Sequence, residues 1–236
     1  MSHILFIDTE TTGLDPKRNG IISLCASLYK DGEFVESYET GEPHHPNDCS
    51  FQTQWYKFNK NFEEYHIDLS AMRVNKLALT QDGLRHQLFY QGRSGHNRLA
   101  PQELLIEEGD FAKSFANFLV EMTKVPNLHI GGMNVQFDLK FIYALLDKYN
   151  LNPNGVMPTK VVDTQIIAAF LQNAGMIKVP NLKSETLYQC FEIDAQGIHS
   201  AFADVEYTAQ LYYKMEQKIK DLQAKARDSQ PASYRV

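Results

Sequence analysis

Two acids, Asp8 and Glu10, stand two residues apart directly after the apolar run Ile4-Leu5-Phe6-Ile7. In an extended chain that spacing sends both carboxylates to one side, at the carboxyl end of a strand, where open α/β sheets receive their ligands. A strand followed by a polar turn would look the same, so the pair alone leaves that plainer reading open. Asp138 closes Asn134-Val135-Gln136-Phe137-Asp138 behind a second apolar stretch and stands where a helix begins. A first-turn aspartate favoured by the helix dipole accounts for it equally well. His199 and Asp204 lie in His199-Ser200-Ala201-Phe202-Ala203-Asp204 at the head of an apolar helix, again open to the reading of a capping region with a surface acid.

The elements that must position these residues are legible in outline. The run from Ile4 to Ile7 fits a strand buried on both faces. Two β-rich segments follow, 21–29 and 34–40, joined by the turn dipeptide Asp31-Gly32, which predicts a meander extending the first strand. From 41 to about 109 the composition is mixed, and a long insertion of loop and helix is expected. Phe111, Phe115, Phe118, Leu119 and Met122 recur at helical spacing, Pro126-Asn127 ends that helix, and 128–132 resumes as a strand. Phe137, Phe141, Leu145 and Tyr149 share a helical face, 150–158 is a loop, 161–171 reads as a helix introduced by Asp163, and 182–190 is helical. A last helix runs from 201 to about 224, and a polar tail occupies 229–236. Strands first, then alternating strand and helix, predict an α/β sheet with helices on its faces, as a single domain over 1–228.

Composition narrows the function classes. Of 236 residues, 43% are hydrophobic and 22% charged, which excludes a largely disordered or fibrous chain. The formal net charge of -6 argues against a protein that holds nucleic acid by bulk electrostatics, and leaves a local site open. No apolar run is long enough for a spanning helix and no signal-peptide core precedes Asp8, so a cytoplasmic protein without membrane contact is expected. Cys25, Cys49 and Cys190 form no CxxC pair, and buried or inert thiols are the simplest reading. His44-His45 near Cys49 matches no standard zinc spacing.

Taken together and in order, the motifs resemble those of the DnaQ-like 3′-to-5′ exonucleases of the DEDDh type, within the ribonuclease H-like superfamily. Phe6 to Leu14 (FIDTETTGL) matches the first family motif, Asn134 to Asp138 (NVQFD) the second, and His199 to Asp204 (HSAFAD) the third. The resemblance covers nearly the whole chain. It implies a three-layer α/β fold whose central mixed five-stranded sheet is flanked by helices. It implies that Asp8, Glu10, Asp138 and Asp204 bind two divalent ions, that His199 is the general base, and that Thr11, Thr12, Leu14, Asn134 and Phe137 contact substrate. The activity implied is metal-dependent release of nucleoside 5′-monophosphates from the 3′ ends of single-stranded DNA or RNA. A polymerase or a second copy of the chain is the implied protein partner. Asp163, in VVDT, matches a secondary acidic position taken as structural or helix-capping.

Four acids in one pocket would raise one another's pKa values unless a cation neutralised them, and an all-carboxylate site suits Mg²⁺ or Mn²⁺ better than zinc. The chain departs from the family at Met133, where histidine is common, and in the length of the 41–109 segment. Within that segment Trp55, Tyr56 and Lys57 alternate aromatic and basic character suited to guiding a single strand, or they belong to the packing of an added helix. Two other functions compete. DTETT is superficially close to the DxDxT nucleophile motif of haloacid-dehalogenase-like phosphatases, with Glu10 in place of the second aspartate. A non-catalytic nucleic-acid-binding or polymerase-associated subunit is the other.

Overall fold

The computed structural model describes residues 2–39, 50–77, 79–93, 101–195 and 200–228. Its spine is β1 (His3–Thr11), in which every residue except Asp8 is buried. Both faces are covered, which is why consecutive positions from Ile4 to Ile7 are apolar. The strand continues through the first motif to Thr11 instead of stopping at Asp8. β2 (Ile21–Lys30) runs antiparallel to it, with Asp8 opposite Cys25 and a bulge between Glu10 and Thr11 that leaves Ile22 unpaired across from them. Asp31 and Gly32, at φ 53° and 95°, supply the left-handed backbone that a two-residue hairpin needs. The returning strand β3 (Glu33–Phe34) pairs with β2 over two residues only. β4 (Ser37–Glu39) and β5 (Ser50–Gln52) then form a separate ribbon.

The strand that extends the sheet beyond β2 is β6 (Gln54–Asn59), not the expected 34–40. It lies inside the segment expected to be loop and helix. The apolar face of this strand is short and interrupted by Lys57, so it lacks a clear period over enough residues to announce itself. After α1 (Leu69–Asn75), α2 (Gln81–Arg93) and α3 (Pro101–Leu104), β7 (Leu105–Ile106) pairs parallel with β6. α4 (Glu108–Met122) leads to β8 (Leu128–Gly132), parallel to β1. α5 (Gln136–Lys148) leads to β9 (Val161–Asp163), parallel to β8. The expected helix over 161–171 therefore begins as an edge strand and becomes α6 (Thr164–Asn173) only after Asp163. α7 (Ser184–Cys190) and the long α8 (Ala201–Asp228) complete the described chain.

Among the described residues the sheet order is β7-β6-β2-β1-β8-β9 with β3 beside β2, seven strands where five were expected. Its two shortest members, β3 and β7, are two residues each. Leu5 and Ile7 pack with α4 and α5 on one face, through Phe111, Phe115, Phe141 and Ile142. Ile4 and Phe6 pack with α8 on the other, through Ala201, Val205 and Ala209. Cys25 is buried, which fits an inert thiol, but Cys190 is exposed. His44, His45, Cys49 and the 229–236 tail lie outside the described residues.

Candidate active site

Asp8 and Glu10 follow Ile4 and Phe6 in the alternation of β1, so their side chains leave the sheet on the face covered by α8. Asp204 sits in the first turn of α8. One carboxylate oxygen from each of Asp8, Glu10 and Asp204 lies within 4.8 Å of the others. Asp138 arrives from the opposite face. The last β8 residue to pair with β1 is Gly131, opposite Phe6, so beyond that point β1 has no ladder partner on this side. Asp138, 3% exposed in the first turn of α5, fills the gap: its Oδ1 accepts the backbone N–H of Thr9 at 2.8 Å and the Thr9 hydroxyl at 2.7 Å.

The approach of this loop is fixed by packing and by one acid. A side chain at Gly132 would meet Val135 at 2.9 Å and the Ile7 carbonyl at 3.0 Å, so the chain can turn there only as glycine. Asp163 caps α6 by accepting from Gln165 and Ile166, and also accepts the N–H groups of Asn134 and Val135, with Asn134 in left-handed backbone (φ 55°). The capping expectation for Asp163 thus fits, with the added task of tethering the motif that carries Asp138.

The electrostatics of the pocket are those of crowded, desolvated acids. Burial, then the charges of Asp138, Asp204 and Glu10, holds the Asp8 carboxyl well above the usual carboxylate range. Burial, then Asp204 and Asp138, raises Glu10 to about 8. Burial raises Asp138 to about 7 in spite of the opposing Thr9 hydrogen bonds. A bound cation reverses every one of these penalties, and carboxylate oxygens are the donors that hard divalent ions prefer. Asp8, Glu10 and Asp204 thus form an acidic cluster able to hold a metal ion.

Beside the acids lies a cleft of about 410 Å³ whose lining includes Thr11, Leu14, Asn134 and Phe137, four of the five expected substrate contacts. Leu14 is 76% exposed at its edge, while Phe137 also packs on Phe141, with ring centroids 5.1 Å apart. The fifth, Thr12, does not line it. Fully buried, its hydroxyl donates to the His66 carbonyl at 2.8 Å and accepts from the Gly20 amide at 3.0 Å, so it fastens the turn to the segment before α1. His199 lies outside the described residues.

The guiding role read into Trp55, Tyr56 and Lys57 does not survive. Trp55 is 7% exposed and packs against Phe115 with centroids 4.8 Å apart, in the core under α4. Tyr56 is buried on the other face, its hydroxyl bonded to Ser200 and its ring against Phe202. The Lys57 ammonium donates to the Glu103 carbonyl at 3.0 Å. Conversely, α1 was not expected at the cleft, where Val74 and Asn75 line it and the Asn75 amide donates to the Thr11 carbonyl at 2.9 Å. The available signal was Asp68, whose side chain caps Ser70 immediately before an apolar-polar helical stretch. Thr9 was also passed over, although alternation alone turns it away from Asp8 and toward α5.

No protein-family model matches the chain. A DNA polymerase III PolC-type from Latilactobacillus sakei is 26% identical over 216 residues, covering 92% of this chain and 11% of that one. A Ribonuclease T from Haemophilus influenzae is 23% identical over 221 residues, covering 92% of this chain and 81% of its own. Among solved structures, Exonuclease I of E. coli in complex with a dT13 oligonucleotide has a TM-score of 0.67 at 17% identity, over 95% of this chain and 43% of that one. Exonuclease I from Methylocaldum szegediense gives 0.67 at 16% identity, over 94% and 42%. The chain therefore spans about a ninth of the PolC-type relatives and less than half of the Exonuclease I chains. The sheet order and these likenesses agree on one architecture: the chain has a mixed α/β fold, a central sheet flanked by helices, shared with the Exonuclease I structures.

Proposed function

We propose that this chain is a metal-dependent 3′-to-5′ exonuclease that releases nucleoside 5′-monophosphates from single-stranded nucleic acid. The observation that carries the reading is the convergence of Asp8, Glu10 and Asp204 within 4.8 Å, from a strand and a helix that meet only in the folded chain. Asp138, on a third element, lies outside that group, but its charge acts on Asp8. Asp8, Glu10, Asp138 and Asp204 would hold two divalent ions, Mg²⁺ or Mn²⁺. When bound, such a pair supplies Lewis-acid stabilisation of the charge that develops on a phosphodiester under in-line attack. His199, placed by sequence directly before Ser200 and α8, would take the proton of the attacking water.

The cleft supplies the place for the terminal nucleotide. Leu14 and Phe137 offer apolar surface for a base and Asn134 a polar group for sugar and phosphate, while Thr11 lines the wall with its hydroxyl donated to the Gly13 carbonyl. A single strand fits this reading because the similar Exonuclease I structures include complexes with dT13 and dA16 oligonucleotides. DNA and RNA both stay in the proposal, since another relative is a Ribonuclease T. A polymerase is the proposed partner class on the strength of the PolC-type relatives, in which the matched region is 11% of a polymerase chain. A second copy of this chain is the alternative partner. Among the described residues no helix is long and apolar enough to cross a membrane; the cytoplasmic placement is part of the proposal.

The test is incubation of the purified protein with 5′-labelled single-stranded DNA, single-stranded RNA and duplex, in Mg²⁺, in Mn²⁺ and in chelator. The expected result is a ladder shortening one nucleotide at a time from the 3′ end, absent in chelator. Tight binding without products in Mn²⁺ would return the non-catalytic reading. An aspartyl-phosphate intermediate would return the phosphatase.

A further inference from the structure

Thr9 is the residue between the two motif acids, and its side chain points away from both of them, toward α5. It is 7% exposed and spends both of its donors on one atom, Asp138 Oδ1, at 2.8 Å from the amide and 2.7 Å from the hydroxyl. The amide is free to do this because β8 has stopped pairing at Gly131. The hydroxyl is a separate choice of the sequence, since any residue at position 9 would present the amide. A charge-assisted O–H···O bond of this length is among the stronger polar contacts a protein makes.

We propose that Thr9 is a positioning residue for Asp138: with Oδ1 occupied twice, ligation of a divalent cation falls to Oδ2, and the carboxylate is held in the rotamer that presents it. The inference rests on the exonuclease reading above and extends it to a residue of the cleft wall whose two donors are both spent on Asp138. A first-motif strand thereby carries two tasks on its two faces, ligands at Asp8 and Glu10 and the clamp at Thr9. Partners of this kind behind a ligating side chain typically account for about 10- to 100-fold in metal affinity.

The experiment is calorimetric titration of the full-length, substrate-free protein with Mn²⁺, together with kcat and KM on a single-stranded oligonucleotide. Thr9→Val removes the hydroxyl and keeps the amide, and should weaken Mn²⁺ binding by about 10-fold or more and lower kcat with little change in KM. Thr9→Ser restores the donor and should recover the wild-type affinity to within about threefold. Thr9→Ala serves as the second donor-less variant, with the same expectation, in case valine disturbs the packing. In an Asp138→Ala background, Thr9→Val should cost no further Mn²⁺ affinity, because the residue it positions has gone. Wild-type Mn²⁺ affinity in both Thr9→Val and Thr9→Ala overturns the inference, and so does an equal loss in the Asp138→Ala background. If the wild type binds Mn²⁺ with the expected Thr9 dependence but cleaves nothing, the exonuclease reading fails and the positioning role stands. If the wild type takes up no Mn²⁺, both fall.

Discussion

Asp163 Oδ2 accepts the backbone N–H of Val135 at 3.1 Å, across 28 positions of sequence. The same carboxylate accepts from Asn134, Gln165 and Ile166 through Oδ1, so one acid both starts α6 and ties down the loop that delivers Asp138. Removing it orphans a helix N-terminus and two loop amides. Asp163→Ala should lower stability in urea unfolding by about 2–4 kcal/mol, the sum of a lost cap and lost buried hydrogen bonds. It should also reduce kcat, because Asp138 is then less well placed. Asp163→Asn keeps an acceptor and should cost less on both counts. Unchanged stability and turnover in the alanine variant would count against this tether.

The raised acids set the sign of a pH effect in the metal-free protein. An unfolded glutamate titrates near 4.5 and folded Glu10 near 8, with Asp138 moving from 3.8 to about 7. Between these limits the folded state binds more protons than the unfolded one, so stability falls as pH rises across the window. Melting temperature in chelator should therefore drop from about pH 5 to pH 8, and Mn²⁺ should restore it at the alkaline end. Glu10→Gln should flatten the profile. Asp8→Ala and Asp138→Ala should abolish turnover while remaining folded; Asp8→Ala should stabilise the chelated protein at pH 8 by relieving repulsion, whereas Asp138→Ala also orphans the Thr9 amide and hydroxyl and should gain less. A chelated protein that gains stability on going from pH 5 to 8 would reverse the argument.

Trp55→Ala removes the largest side chain from the core beneath α4, where it meets Phe111 and Phe115. The expected cost is about 3–5 kcal/mol, the usual result of truncating a buried Trp. Affinity for long single strands, corrected for the unfolded fraction, should not change. Selective loss of long-strand binding without loss of stability would restore the guiding role that the buried position contradicts.

That case shows why part of the fold was legible and part was not. Ile4 to Ile7 announces a central strand because both faces are covered and no polar residue interrupts it. The helices α4, α5 and α8 announce themselves because each buries one stripe and exposes the rest. Gln54–Asn59 has neither property: it is short, it mixes buried aromatics with Lys57, and its pairing with β2 is fixed by a contact some thirty positions away in sequence. Asp8, Glu10 and Asp204, which the fold brings together, were legible because each sits at the end of a strand or the start of a helix that the sequence announces. Their supports were not, since Thr9 and Asn75 act through hydrogen bonds to Asp138 and to the Thr11 carbonyl that no local spacing specifies. Thr12 shows the converse: a hydroxyl in the first motif looks like a substrate contact, yet the Gly20 amide and His66 carbonyl occupy it.

Leu14 is the most exposed of the large hydrophobic residues at the cleft, so its value should lie in binding and not in folding. Leu14→Ala should leave the melting temperature within about 1 °C, since the surface around it does not depend on it for packing. It should raise KM for a single-stranded substrate by a factor corresponding to roughly 1 kcal/mol, the loss of a partly buried apolar contact with a base. A fall in stability with unchanged KM would assign Leu14 to the fold instead.

A test of His199 needs a control that the acidic cluster makes necessary. A general base works in its neutral form, so activity should fall on the acid side of the reference histidine value of about 6.5. Protonation of Glu10, near 8 in the metal-free chain, and of Asp138, near 7, would produce an acid limb of its own by competing with cation binding. The two origins separate with metal concentration. A limb caused by ligand protonation moves to lower pH as Mn²⁺ is raised, because the cation displaces the protons, whereas a limb caused by the base stays where it is once the site is saturated. At saturating Mn²⁺, His199→Ala should lower kcat by roughly two to four orders of magnitude and abolish the remaining acid limb, with a much smaller change in oligonucleotide affinity. A variant that keeps both its rate and its saturated acid limb places the base elsewhere in the site.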